Sequence, residues 1–122
     1  MSQRLQLSSV TVNCPDAAAL AEFYAQITDG EVTFSHPSWA TMKCAGGRVD
    51  FQTVDDYAPA RWPEQTALIH LDFLVDDLEE AAQRVVTAGA TRFPVQPNIE
   101  QCLVFADPVG NPFCLTLLDE VG

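Results

Sequence analysis

Only two histidines and four cysteines are available for metal or nucleophilic chemistry in this 122-residue chain. His36 lies in a Ser35-His36-Pro37-Ser38 turn, where an exposed ring is expected. His70 differs, because it opens an alternating segment in which Asp72 is the next residue on the same face. An imidazole beside a carboxylate suits a cationic ligand group; it equally suits a hydrogen-bonded histidine on a solvated rim. Cys14, Cys44, Cys102 and Cys114 form no C-x-x-C pair and read as reduced thiols of a cytoplasmic protein. A His-rich metal centre is excluded by count. The G-x-S-x-G, G-x-x-x-x-G-K-[ST] and G-x-G-x-x-G signatures are absent, which removes the hydrolase elbow, P-loop and dinucleotide fingerprints.

Charge narrows the partners further. Six Lys+Arg against 17 Asp+Glu leave a formal charge of −11, a field that repels nucleic acid and anionic membrane. Neutral or cationic small molecules suit it better. No stretch reaches the ~18 apolar residues of a membrane helix, and Met1-Ser2-Gln3-Arg4 begins no signal-like apolar run. With 48% apolar and 19% charged residues, the composition is that of one ordinary globular domain spanning 1–122.

The elements that must position these residues come from an internal repeat. Displaced by about 61 positions, Ser9-Val10-Thr11-Val12-Asn13-Cys14-Pro15-Asp16 lies over His70-Leu71-Asp72-Phe73-Leu74-Val75-Asp76-Asp77. Both segments alternate as strands do. Val10, Val12, Cys14 and Leu71, Phe73, Val75 face a helical layer, leaving Ser9, Thr11, Asn13 and His70, Asp72, Leu74 opposite. Asp16 and Asp77 are the expected N-caps, the latter with Glu80 at capping-box spacing. Leu20, Phe23, Tyr24, Ile27 and Leu78, Ala81, Ala82, Val85 follow at helical spacing, with stops at Gly30 and Gly89. Strands are expected over 31–34, 39–44 and 48–54, then over 91–93, 103–106 and 113–118. Asp55 to Thr66 reads as a connector. The fold class is therefore α+β: two βαβββ modules, about 5–55 and 67–119, forming one eight-stranded mixed sheet with both helices on its convex face.

The run His70-Leu71-Asp72-Phe73-Leu74-Val75-Asp76-Asp77-Leu78, the Ala88-Gly89-Ala90 helix end and Ala106-Asp107-Pro108-Val109-Gly110-Asn111-Pro112-Phe113-Cys114-Leu115 resemble the vicinal oxygen chelate superfamily. Val49-Asp50-Phe51-Gln52 and Trp62-Pro63 also fit, and the likeness runs from about Leu7 to Leu118. It resembles most the glyoxalase-like domain, of glyoxalase, bleomycin-resistance and dioxygenase type. The resemblance implies a curved sheet around a concave cleft, a homodimer, and a divalent metal held by His or Gln opening each unit and Glu or His closing it. Carried over, these positions fall on Ser9, on Asp50 or Gln52, on His70 and on Cys114. Only His70 is a standard ligand there. His70, Cys114 and Asp50 would make a chemically legal zinc trio with an open position.

The expected function is small-molecule binding in the cleft by Ser9, Thr11, Asn13, Asp50, Gln52, His70, Asp72 and Cys114, without the usual divalent metal or any other cofactor. The alternative is a metal-dependent lyase, isomerase or dioxygenase using the His70/Cys114/Asp50 set, with Zn or a similar ion as Lewis acid. A third reading is a non-catalytic scaffold. A Cys114–His70 nucleophile pair lacks a visible third group to orient it. Trp39, Met42 and Trp62 wall a ligand cavity or pack as core.

Overall fold

The computed structural model describes residues 4–59, 61–65 and 69–117. The chain divides into two compact units, Met1–Tyr57 and Ala58–Gly122. No helix among the described residues is long and apolar enough to cross a membrane.

The first unit runs β1 (Val10–Cys14), α1 (Ala17–Thr28), β2 (Glu31–His36), β3 (Trp39–Cys44) and β4 (Gly47–Thr53). Its sheet order is β1-β4-β3-β2, with β1 parallel to β4 and the other pairs antiparallel. The Asp16 carboxylate caps α1 by accepting from the Ala19 N–H at 3.2 Å. Ala17, Leu20, Ala21, Phe23 and Tyr24 form the buried stripe of α1. Tyr24 stacks on Phe51 of β4 with ring centroids 5.7 Å apart. Burial of each such large side chain contributes about 1.5–3 kcal/mol. Gly30 was the expected helix stop, yet the left-handed residue is Asp29 at φ 54°, an αL conformation that Asp tolerates. Glycine is needed at 30 for another reason: a Cβ there would lie 2.6 Å from the Lys43 carbonyl oxygen.

One feature of this sheet has no signal in the alternation. The β2/β3 register slips between Val32 and Phe34, so Val32 pairs with Met42 but Phe34 pairs with Thr41. Directly paired residues share a sheet face. The bulge therefore turns Phe34 away from the helix side, where Met42 is fully buried, and onto the polar face with Thr41. Met42 is thus core. Trp39 lies on the polar face, paired with Gln52 on one side and His36 on the other.

The second unit repeats the plan with β5 (Leu71–Leu74), α2 (Leu78–Ala88), β6 (Thr91–Arg92), β7 (Cys102–Ala106) and β8 (Pro112–Thr116), in the order β5-β8-β7-β6. Asp77 caps α2 through the Glu80 N–H at 3.0 Å, and Gly89 ends it at φ 126°. Phe73, Phe105, Phe113, Leu103 and Leu115 make the helix-side core. β6 ends one residue early: the Phe93 N–H still reaches the Val104 C=O at 3.2 Å, but the return bond from the Val104 N–H does not go to Phe93. The Gln96 side chain takes over, bonding the Val104 N–H and C=O at 2.9 Å each. Trp62 of the connector packs on Phe93, with centroids 4.8 Å apart. Leu118, the expected end of β8, lies outside the described residues.

Both modules have the expected βαβββ order. Strand pairing closes within each, so the eight strands form two four-stranded mixed sheets rather than one hydrogen-bonded sheet.

The β7–β8 turn is held from inside. The Asp107 carboxylate accepts from the Val109 and Asn111 N–H groups at 3.0 and 2.9 Å, and Gly110 sits at φ 97°. A Cβ on Gly110 would meet the Pro59 ring at 2.7 Å. Gly110→Ala should therefore cost about 2 kcal/mol from backbone strain plus the contact. The check is a lower urea midpoint at unchanged slope, and an unaltered midpoint would refute this account.

Candidate functional site

Asp50 is the most constrained polar residue of the first module. It is 1% exposed, although it lies on the polar face of the sheet. Its Oδ2 accepts from the Ser9 hydroxyl at 2.7 Å and its Oδ1 from the Thr41 hydroxyl at 2.6 Å. Arg48 adds its Nε, 3.1 and 3.2 Å from the two oxygens, and an Nη 2.9 Å from Oδ2. Burial alone would push the Asp50 carboxyl up, but the bonds from Arg48, Thr41 and Ser9 together outweigh it and hold the group below its ordinary value. The same bond raises the Arg48 guanidinium. Thr11, Asn13 and Gln52 remain exposed on this face, with Asn13 and Gln52 directly paired.

In the second module His70, Asp72 and Cys114 come together. One donor atom from each lies within 4.8 Å of the others. Asp72 and Cys114 are register partners on β5 and β8, and His70 Nε2 stands 3.2 Å from Asp72 Oδ1. His70 and Asp72 are exposed, whereas Cys114 is buried at 9%. Asp72 is the orienting carboxylate that the Cys114–His70 nucleophile pair lacked in the sequence. Nevertheless the pair is not an activated one. Burial, reinforced by the charge of Asp72, pushes the Cys114 thiol up to about 12, the reverse of what a nucleophilic thiolate needs.

The register also settles how the two modules correspond. Thr11 pairs with Asp50 in one, and its repeat-equivalent Asp72 pairs with Cys114 in the other. Asp50, not Gln52, is therefore the counterpart of Cys114, and Ser9 is the counterpart of His70. The residue third in the sequence-derived trio, Asp50, is already engaged by Ser9, Thr41 and Arg48. Asp72 completes the cluster instead, on a strand where period-2 alternation had placed it beside His70.

The glyoxalase-like domain family profile matches residues 9–116. The chain belongs to the glyoxalase-like domain family. Solved structures agree in fold. A FosX variant from Listeria monocytogenes, complexed with Mn(II) and 1S,2S-dihydroxypropylphosphonic acid, shares 19% identity over 93% of this chain and 92% of its own, at TM-score 0.70. A glyoxalase/bleomycin resistance protein/dioxygenase family enzyme from Burkholderia phytofirmans PsJN shares 18% over 88% and 94%, at 0.68. The bleomycin resistance determinant encoded on transposon Tn5 shares 13% over 95% and 100%, at 0.64. No curated protein sequence matches the chain.

The glyoxalase-like resemblance implies a divalent ion held by His or Gln opening each unit and Glu or His closing it, and Ser9, Asp50 and Cys114 are not of those types. Ser9 spends its hydroxyl proton on Asp50, and Asp50 already has a guanidinium as counter-ion. At the second closing position a thiol stands where an oxygen donor is usual, which hard ions such as Mn²⁺ disfavour.

The Asp50 network should leave a signature in acid. Its carboxyl is held below the ordinary value of 3.8, so its contribution to stability is complete above that value and fades as pH falls through the lower folded one. Asp50→Asn should cost about 2–3 kcal/mol at neutral pH. Urea midpoints from pH 7 to 2 should show the gap between the two proteins narrowing below pH 3.8. A gap constant across that range would remove the ion pair from the account.

Proposed function

We propose that this glyoxalase-like protein binds a small neutral or cationic molecule on a polar sheet face, without the family's usual metal cage. The reading rests on the row Asn13–Gln52–Trp39, which sets two exposed side-chain amides beside a half-buried indole on one face. Amides fix a ligand's orientation through directional hydrogen bonds, and an indole supplies flat apolar contact; small-molecule sites combine these two features. Phe34, 53% exposed and carried to the same face by the bulge, extends the apolar wall. The neutralised Asp50 beneath supports recognition by hydrogen bonding and stacking rather than by a bound ion. A cationic ligand also suits the net charge of −11, and the likeness to the bleomycin resistance determinant recommends bleomycin as a probe.

A thermal-shift screen in EDTA tests this reading, using neutral and cationic compounds with bleomycin among them. A ligand at 100 times its Kd stabilises the native state by about 2.7 kcal/mol, a shift of several degrees for a chain this size. Asn13→Ala and Gln52→Ala should leave the ligand-free melting point within a degree or two and abolish the shift. The proposal fails if no compound raises the melting point, or if both variants keep the full shift.

The same reading includes a homodimer in the cytoplasm. Light scattering at micromolar concentration should return twice the 13.3 kDa chain mass, and a monomer mass would discard the pairing.

A further inference from the structure

The row Asn13–Gln52–Trp39 does not stop at β3. His36 is the register partner of Trp39 on β2, so the same face runs from two amides through an indole to an imidazole. That imidazole is aimed by its turn. The Ser38 N–H donates to His36 Nδ1 at 3.1 Å, and the Ser38 hydroxyl stands 2.9 Å from the same nitrogen. A ring nitrogen that accepts a backbone N–H carries no proton, so the neutral imidazole holds its proton on Nε2 and presents a donor. Thr53 ties the turn to β4, giving its N–H to the Ser38 carbonyl at 3.0 Å and its hydroxyl to the Pro37 carbonyl at 2.6 Å. Within the described residues, nothing hydrogen-bonds the side-chain amides of Asn13 and Gln52, the Trp39 indole N–H or His36 Nε2.

We infer that this row binds a flat, neutral ring carrying an N–H donor and a carbonyl side by side on one edge, as a lactam does, and an acceptor on the opposite edge. His36 thereby joins the small-molecule face described above, on which this assignment rests. A side-chain amide holds its own donor and acceptor side by side, so Gln52 meets such an edge with two parallel bonds. The ring carbonyl has a second lone pair, which the Asn13 amide on the neighbouring strand fills. The half-buried indole supplies the stacking surface between the two ends. Strand spacing sets β4 and β2 about 9.6 Å apart, and a hydrogen bond of about 2.9 Å at either end leaves about 4 Å for the ligand. That is the width of one six-membered ring with its exocyclic oxygen. No carboxylate belongs to the row, and Asp50 in the next is paired with Arg48, so a neutral ring suffices.

The test is a titration of isotope-labelled protein with pyrimidin-4-one, followed through the side-chain N–H signals in proton–nitrogen correlation spectra. The Asn13, Gln52 and Trp39 signals should move together while the Trp62 indole stays still. The derivative methylated on the lactam nitrogen has lost the ring donor and should bind about tenfold more weakly. The comparison ring 2-pyridone keeps the lactam edge but has no ring acceptor opposite. His36→Ala should therefore weaken pyrimidin-4-one about fivefold and leave 2-pyridone unchanged. Unmoved signals, equal affinity of the methylated ring, or an equal loss for both lactams in His36→Ala would each overturn the assignment. The methylated ring is compared on the unaltered protein, so that arm stands whatever the variant does. A hit from the EDTA screen that needs Asn13 and Gln52, with both lactams silent, would overturn the ring class and leave the small-molecule reading standing. A screen without any hit would remove both.

Discussion

A carboxylate cannot stay ionised under a protein surface without donors and a counter-charge, and Asp50 shows what meeting that demand entails. Two hydroxyls and a bidentate guanidinium converge on one buried group, from the residue before β1, from β3 and from β4. These bonds tie the leading edge of β1 to the centre of the sheet. They also fix which residues remain available for recognition on that face. Replacing such a pair with apolar side chains is often neutral or stabilising, so stability alone is a weak reason for its presence. What the network does supply is definition: Ser9, Thr41 and Arg48 each direct their donors to one carboxylate, beside the exposed row of Asn13 and Gln52.

Duplication makes that constraint informative. Two copies of one strand-helix-strand-strand-strand plan offer the same positions twice, so a difference in chemistry at equivalent positions is a difference in task. The first module answers its acid with an internal cation. The second substitutes Pro112 and Val104 at the two donor positions, those of Arg48 and Thr41, and gathers an imidazole, a carboxylate and a thiol. Ser9 and Asp50 in the first module and Cys114 in the second depart from the ligand types that the resemblance implies.

Much of this was legible in the sequence, for identifiable reasons. Caps are local, so Asp16 and Asp77 could be read directly, and the displacement of 61 residues carried the module plan. Period-2 alternation placed Thr11, Asn13, His70 and Asp72 on the polar faces. What depends on register was not legible. The choice between Asp50 and Gln52 rests on how a hairpin is counted, and only the pairing of Thr11 with Asp50 decides it. Phe34 alternates with Val32 in the sequence as though both faced the helix, and a single slipped residue reverses it. Arg48 carries no signal of its role, since a lone arginine after Gly46-Gly47 is also what a solvated turn would hold. Its role appears only when the carboxylate it serves proves to be buried.

The distribution of charge gives the last step. At −11 the whole chain favours cations at long range, but that overall field does not choose a site on either module. Local balance does. Around Asp50 the acid is matched by Arg48, with Lys43 paired to Arg48 across β3 and β4, so the first-module face offers no net reward to a bare ion. Around Asp72 there is no guanidinium among the described residues; its partner is the His70 imidazole, with Nε2 3.2 Å from Oδ1. The same register position is filled by an acid in one copy and by a sulfur in the other, and the groups gathered around it differ accordingly.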